Sequence, residues 1–482
     1  MNDLCVFAIK RGDIEKRIDT HANHPKFQEI FSRLKKYSVL PLRTYTKCIF
    51  SGITPKSGGD AYTEDEDGIL FVKSGCLSND GLLTIDPTSK IKPNIHNGLM
   101  KSSKLKKNDV LIAIVGATIG KIGLYDLDCE ANINQAIAAV RLKDTLLPEF
   151  LIAYMLSPLG QAYLEYLKRP VARANINLQE IGEIGIPCLS IQQQKVFVKA
   201  FFSARNKKED KLKDAESVRN NIRNIFETSL NLSFSKTEQE LYSNIILGDI
   251  KRNATRRIDP KCYSFKFQNI RNTIDSTTYP KYKLRDLILD ITGGDWGDEP
   301  ESEKETCQKC LVLRATEISN KDNIEIREDK AQYRQIEKKK LAAMRMEIGD
   351  IVIEKSGGSI DQPVGRVIYV DQLSYEGYPI AYSNFLTKLK INKNLVDPYY
   401  LFEYLRFVYK IGLTEVMQNQ TNGIRNLIID EFLDQTVIVP PNHYEIGQQI
   451  KEQRLYAREI EKQAEQDWQE AKKQFEKELL GE

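Results

Sequence analysis

Histidine is almost missing. There are four in 482 residues, at positions 21, 24, 96 and 443, too few and too scattered for a Ser/His/Asp or Cys/His nucleophile arrangement. Eight cysteines, at 5, 48, 76, 129, 188, 262, 307 and 310, supply one close pair, Cys307 and Cys310. No second Cys or His pair follows it at the spacing of a structural zinc site, so free thiols in a reducing cytosol are expected and no metal site. No apolar run approaches the ~20 residues of a membrane span. The opening MNDLCVFAIKRGDIEKR has no signal-peptide core, and a soluble, cytoplasmic chain is expected. An excess of one charge is missing too. Seventy Lys and Arg face 67 Asp and Glu, a net +3, so bulk charge argues neither for nor against nucleic acid, and only clustering on one face would.

What is present is a duplication. Residues 108–126 read NDVLIAIVGATIGKIGLYD and residues 349–371 read GDIVIEKSGGSIDQPVGRVIYVD. Asp109 matches Asp350, Gly116 matches Gly357, Thr118 takes the place of Ser359, and Gly120-Lys121 resumes against Gly365-Arg366 after an insertion. Each copy reads as strand, glycine-rich loop, strand. Other blocks keep the same order: Arg17-Ile18-Asp19 with Arg257-Ile258-Asp259, Ile49…Gly52 with Ile291…Gly294, Ile133-Asn134-Gln135 with Tyr382-Ser383-Asn384, Pro148 with Pro398, and Ile186-Pro187 with Val439-Pro440. Repeats of this size mean two similar globular units rather than a solenoid.

Each copy ends in a helical pattern. Between 191 and 241 there is neither proline nor glycine. Leu212, Ala215, Val218, Ile222, Ile225 and Leu230 form a stripe among charged residues. From Glu445 to Leu480 a second stripe runs through Ile446, Ile450, Ala457, Ile460, Ala464, Trp468, Ala471, Phe475 and Leu479, with Gly447 as its weak point. A lone helix of this kind needs a partner for its stripe. The two are expected to pair antiparallel, with one globular unit at each end. The fold class expected is α+β, with two mainly-β domains and two long helices in an antiparallel coiled coil. The boundaries expected are 1–190, 191–243 (helix), 244–441 and 442–482 (helix). Pro148 is expected to open an amphipathic helix.

In order and in duplicate, the Arg-Ile-Asp openings, the Gly-Asp-Ile-like strand before a Ser/Gly/Thr loop, Asn132-Ile133-Asn134-Gln135, and the proline-closed strand before each helix carry a likeness. The chain resembles the DNA-specificity subunit of type I restriction–modification systems from about Arg17 to Leu480. The resemblance implies two target recognition domains, each reading one half of a bipartite double-stranded DNA target, with the helices as spacer. It implies two methyltransferase (modification) subunits docked on that spacer and motor-nuclease restriction subunits joining for cleavage. Catalysis would then lie on those partners, with S-adenosylmethionine, ATP and Mg there and no cofactor bound directly by this chain.

The resemblance places DNA-facing loops at residues 51–59 (SGITPKSGG), 116–121 and 169–177 (RPVARANIN) of the first copy, and at 293–297 (GGDWG), 355–366 and 418–425 (QNQTNGIR) of the second. The chemistry suits DNA. Small residues admit phosphates to backbone amides, hydroxyls and cations bind phosphate oxygens, and Asn, Gln and Arg can pair with base edges. The candidate contacts are Lys56, Ser57, Lys73, Thr118, Lys121, Arg169, Arg173, Asn175 and Asn177 in the first copy. In the second they are Trp296, Arg314, Lys355, Ser359, Arg366, Gln420, Thr421, Asn422 and Arg425.

Three enzymatic readings fail on spacing. Gly116-Ala-Thr-Ile-Gly120-Lys121 has three residues between its glycines where a nucleotide loop needs four, and Ile122 stands where Ser/Thr is required. Glu354 and Lys355 are neighbours, so on a strand they face opposite ways and cannot converge on a metal. Asp397-Pro398-Tyr399-Tyr400 lacks the second proline of an adenine-methyltransferase loop and reads as a helix start. Two other readings stay open at this stage. One is a recognition chain whose nuclease and methyltransferase share one companion chain. The other is a scaffold that binds no DNA.

Overall fold

The computed structural model describes residues 19–56, 59–169, 174–234, 257–301, 304–319, 321, 323–326, 330–359, 362–421 and 423–481. The fold is mixed α+β and divides into two compact units. The first comprises residues 1–212 and 461–482, the second residues 213–460. Arg17 and Ile18 lie outside the described residues, as does the segment 235–256.

In the first unit a four-stranded sheet runs in the order Thr46–Ser51, Ile137–Leu142, Asp109–Ala113, Ile122–Tyr125. In the second, the order is Ile288–Gly293, Leu386–Ile391, Ile351–Glu354, Val367–Tyr369. The registers correspond residue by residue. Val110 faces Val140 as Ile351 faces Leu389, and Ala113 faces Ile137 as Glu354 faces Leu386. Even the irregularity recurs, with a bulge between Thr46 and Cys48 and another between Ile288 and Asp290. A second sheet is built on a parallel pair in each unit. Leu70, Phe71 and Val72 face Ala131, Asn132 and Ile133, while Leu311, Val312 and Leu313 face Ile380, Ala381 and Tyr382. Parallel neighbours need a long crossover, and the central hairpin region supplies it each time. The two halves therefore share the topology of the four-stranded sheet and of the parallel pair, as the repeated blocks require, and differ in the edge strands of the second sheet.

One repeated glycine has a direct steric cause. A Cβ on Gly52 would lie 1.6 Å from the carbonyl oxygen of Ile133, and one on Gly294 would lie 2.2 Å from that of Ser383. In both copies the end of the first sheet strand passes against the chain leaving the parallel pair, and only a residue without a side chain fits.

The helices depart from expectation in instructive ways. Pro148–Leu156 is buried on all sides from Phe150 to Leu156 rather than amphipathic. Ser157 then caps a second helix, Pro158–Leu167. The long helix spans Ile191–Ser229 and stops short of residue 243. Asn231 takes φ 51°, and the Leu232 N–H bonds the Glu227 carbonyl, a left-handed helix terminus of the kind asparagine tolerates. The C-terminal helix runs unbroken over His443–Leu480. Gly447 is a packing position within it, not a weak point, because a Cβ there would come within 2.9 Å of Asp397 Oδ1 and 3.2 Å of the Tyr400 nitrogen. Asp397 caps Pro398–Lys410 by accepting from the Tyr400 N–H, the helix start read from the sequence. The closing strands align two positions off the proline match. Pro187 faces Val39, and its counterpart facing Lys281 is Ile438, not Pro440.

The two long helices meet inside the first unit. Phe197 and Phe201 pack edge-on against Phe475 with ring centroids 6.2 and 5.4 Å apart, Phe201 lies 4.8 Å from Trp468, and Lys208 bonds Glu465 at 2.6 Å. Positions rise along one helix as they fall along the other, so the pairing is antiparallel. Trp468, Phe475, Leu479 and Leu480 join the same core as Phe150, Tyr154 and Phe201. In the second unit Ile222, Ile225, Phe226 and Leu230 share a core with Ile446, Ile450, Tyr400 and Tyr404. Among the described residues no helix is long and apolar enough to cross a membrane.

Candidate nucleic-acid interface

The central strand of each unit delivers its glycine-rich loop to the same neighbour. In the first unit the chain continues from Ala113 to Val115, where Val115 bridges Asn175. The Gly116 N–H donates to the Ala174 carbonyl at 2.8 Å and the Ile176 N–H donates to that of Ile114 at 3.0 Å. In the second unit Ser356 and Gly357 pair antiparallel with Asn426 and Arg425, and the Ser356 hydroxyl donates to Asn426 Oδ1 at 2.8 Å. The partner segment there is a hairpin, Gln418–Thr421 against Ile424–Leu427. Two loops far apart in sequence thus form one surface in each unit, at matching points of the repeat. The hairpin is a two-stranded ribbon, a shape that the ~12 Å major groove of B-DNA admits.

Four of the nine candidate side chains of the first unit, Lys56, Lys73, Lys121 and Asn175, are described and not committed to a bond within the fold. Lys56, Lys73, Arg169 and Asn175 are exposed, and Thr118 and Lys121 half-buried. Ser57 and Arg173 lie outside the described residues. The Thr118 hydroxyl donates back to the Val115 carbonyl at 2.9 Å, so it shapes the loop. Asn177 caps Leu178–Gly182. Its side chain accepts from the Glu180 N–H while Glu180 accepts from the Asn177 N–H. Its oxygen is therefore committed to the helix end, and the Asn-x-x-Glu spacing is the signal that announces such a cap. Arg169 donates to Glu180 at 2.8 Å, and that pairing holds its guanidinium above the usual range. The pair is solvent-exposed, so a phosphate can compete for it at little cost. Lys56 and Lys73 stand on other loops.

In the second unit Lys355, Ser359, Gln420 and Arg425 belong to the paired loops, and Gln420 and Ser359 are exposed. The Ser359 hydroxyl accepts from the Gln362 N–H at 3.1 Å. Thr421 lies on the hairpin strand, and Asn422 is outside the described residues. Trp296 stands apart, with the Arg334 guanidinium 4.8 Å above its ring and Glu299 paired to that arginine at 2.7 Å.

One arginine, Arg366, is corrected, and a second, Arg314, is partly engaged. Arg366 donates to both carboxylate oxygens of Glu354 at 2.8 Å and to the Ala315 carbonyl at 2.9 Å, with its side chain 10% exposed and that of Glu354 fully buried. Arg314 holds Glu317 through Nε and Nη2 and reaches the Lys330 carbonyl at 3.0 Å. The Arg366 guanidinium is thereby held inside the domain, whereas that of Arg314 is fixed to its own turn through Nε and Nη2 and stays 29% exposed. Their acidic partners lie on the neighbouring strand and turn, which loop composition does not reveal. The sequence reading singled out neither Arg334, which is buried and paired with Glu299, nor Ser356 and Asn426, which bond each other where the loops meet. The last two become visible only once the two loops are known to pair.

The acid repeated at the start of each central strand is structural as well. Asp109 is buried and bound by Arg141 through Nε at 2.8 Å and Nη2 at 2.7 Å. Asp350 is equally buried and accepts from the Glu347 N–H at 2.8 Å, and burial raises its carboxyl above the usual range. Among the described residues no group of three or more His, Cys, Asp or Glu is placed to hold a metal.

Residues 64–215 match the family model described as the type I restriction modification DNA specificity domain. The type I restriction enzyme EcoBI specificity subunit of Escherichia coli is 32% identical over 173 residues, which are 34% of this chain and 36% of that protein. The match thus spans about a third of the curated relative's length. Two solved structures align over 91% of the chain at 12% identity. One is the S subunit of a type I restriction–modification system from M. genitalium, with a TM-score of 0.38 and 96% of that chain covered. The other is a chain from work on the assembly and conformational transition of the type I R-M system, with a TM-score of 0.46 and 95% covered.

Proposed function

We propose, from the match of residues 64–215 to the type I restriction modification DNA specificity domain, that this chain is a member of that family and a non-catalytic DNA-reading subunit. Each unit reads one half of a bipartite target. The half-sites differ because the loops differ: a short loop with Asn175 in one unit, a hairpin with Gln420 and Arg425 in the other. The long helices set the gap between half-sites and dock two methyltransferase subunits, and restriction subunits join for cleavage. S-adenosylmethionine, ATP and Mg serve those partners.

The observation that carries this reading is the repeated pairing of the glycine loop with the later polar loop, Gly116 beside Ala174 and Gly357 beside Arg425. Such a surface combines close-approach backbone for phosphates with Asn, Gln and Arg for base edges. Two tests apply. The logarithm of the affinity for duplex DNA should fall linearly with the logarithm of salt concentration. Sequencing of methylated adenines in cells carrying the chain and its partners should return a two-part motif with a constant gap. A continuous motif, or none, contradicts the reading.

A further inference from the structure

In the first unit the turn after the glycine loop opens onto a cleft of about 580 Å³ lined by Gly120, Lys121 and Gln161 on one side and by Lys208, Gln469 and Lys472 on the other. The wall is rigid. Gln161 Nε2 donates to the Gly120 carbonyl at 3.1 Å and to that of Met155 at 2.8 Å. The charges are unevenly settled. Lys208 is neutralised twice, by Asp80 at 3.0 Å and Glu465 at 2.6 Å. Among the described residues neither Lys121 nor Lys472 has a carboxylate within ion-pair distance. Lys472 sits 5.7 Å above the buried Trp468 ring, and burial lowers its ammonium below the usual range. Asp80 and Glu465 also line the cleft and act on Lys472 from beyond ion-pair distance, but both are paired to Lys208 and burial still dominates; an anion in the cleft would relieve that half-buried ammonium. The second copy lacks this arrangement, because Arg366, the counterpart of Lys121, is locked to Glu354.

We infer that Lys121 and Lys472 together take one phosphate, that of the DNA backbone beside the half-site read by the first unit. The C-terminal helix thereby contributes a contact to the interface of the first recognition domain. This rests on the DNA-reading function proposed above. Lys121 ties the cleft to the interface, since it leaves the same loop whose Gly116 pairs with Ala174. Gln161 is committed to the Gly120 and Met155 carbonyls and only shapes the wall, while Gln469, which gives one amide proton to Glu465, has a second to offer a phosphate oxygen.

The test uses the full chain, purified with its partner subunits, and a duplex of random sequence, since phosphate contacts need no target. Lys121→Gln and Lys472→Gln should each reduce the log–log salt slope by about 0.9, so the loss of affinity between 50 and 200 mM salt shrinks by about threefold. The double variant should lose no more slope than either single one, and Lys472→Arg should restore it. Lys473→Gln, on the same helix but off the cleft, measures the general effect of one lost charge. A Lys472→Gln slope equal to that of Lys473→Gln overturns the inference and leaves the DNA-reading function standing. Absence of salt-dependent duplex binding by the wild type overturns both. If inorganic phosphate raises the melting temperature of the wild type but not of the double variant, while the duplex slopes agree, the site holds free anions and the DNA contact is wrong.

Discussion

Replacing Arg366 with alanine should damage the fold of the second unit rather than its surface. The guanidinium makes two 2.8 Å bonds to Glu354 and one of 2.9 Å to the Ala315 carbonyl, and Glu354 has no exposed side-chain surface. Removing one member of a buried pair leaves an uncompensated charge, at a cost of about 3–5 kcal/mol. The first copy shows what the same place tolerates without the pair, since Ala113 and Lys121 stand there. The double change Glu354→Ala with Arg366→Lys should therefore recover at least about 2 kcal/mol of the loss. The chain offers a convenient reporter. It has two tryptophans, Trp296 in the second unit and Trp468 in the first. In a Trp468→Phe background, urea unfolding followed by Trp296 fluorescence reads the second unit alone. The expected result is a large drop for Arg366→Ala and partial rescue by the double change. A loss under about 1 kcal/mol, the size of an exposed pair, together with weakened DNA binding, would refute the reasoning and return Arg366 to the interface.

Other consequences follow from the same packing. Trp468→Ala should cost the first unit about 3–5 kcal/mol, read by thermal melting, because the far end of the C-terminal helix lies in that unit's core. Gly294→Ala should cost about 2–3 kcal/mol and Gly52→Ala no less, since each Cβ meets a backbone carbonyl. The two buried aspartates should respond oppositely to amidation. Asp109→Asn strips Arg141 of its partner and should lose about 1.5–3 kcal/mol. The carboxyl of Asp350 is raised by burial, so its neutral form stabilises the fold. That contribution is full below the unfolded value near 4 and is lost as pH rises through the folded one. Asp350→Asn should therefore gain stability over wild type at pH 7 and gain nothing at pH 3.

Much of this architecture was legible because duplication makes a sequence its own alignment. The pairing of Asp109 with Asp350 and of Ile133 with Tyr382 passes directly into strand register. The glycines at 52 and 294 mark a close approach that only the backbone explains. What stayed hidden was partner choice. Lys121 and Arg366 look alike as cations after a glycine loop, yet one lines a cleft and the other is buried by a carboxylate on the adjacent strand. Asn177 was readable as a cap from Glu180 three residues on, but a polar loop invited the DNA reading first. The closing proline misled by two positions, because Pro187 sits inside its strand and Pro440 beyond the end of its own. The long helices announced an apolar stripe. A stripe does not say which residues of the globular units will share its core, as Phe150 and Tyr400 do.

The central claim is that each copy reads its own half of the target through its pair of joined loops. The direct measurement is the map of methylated adenines in cells carrying the chain with its partners, before and after the hairpin residues Gln420 and Arg425 are both changed to alanine. The account predicts that the half-site read by the first unit and the gap stay the same, while bases in the other half-site are relaxed or lost. Relaxation spread equally over both halves, or an unaltered motif, would contradict it.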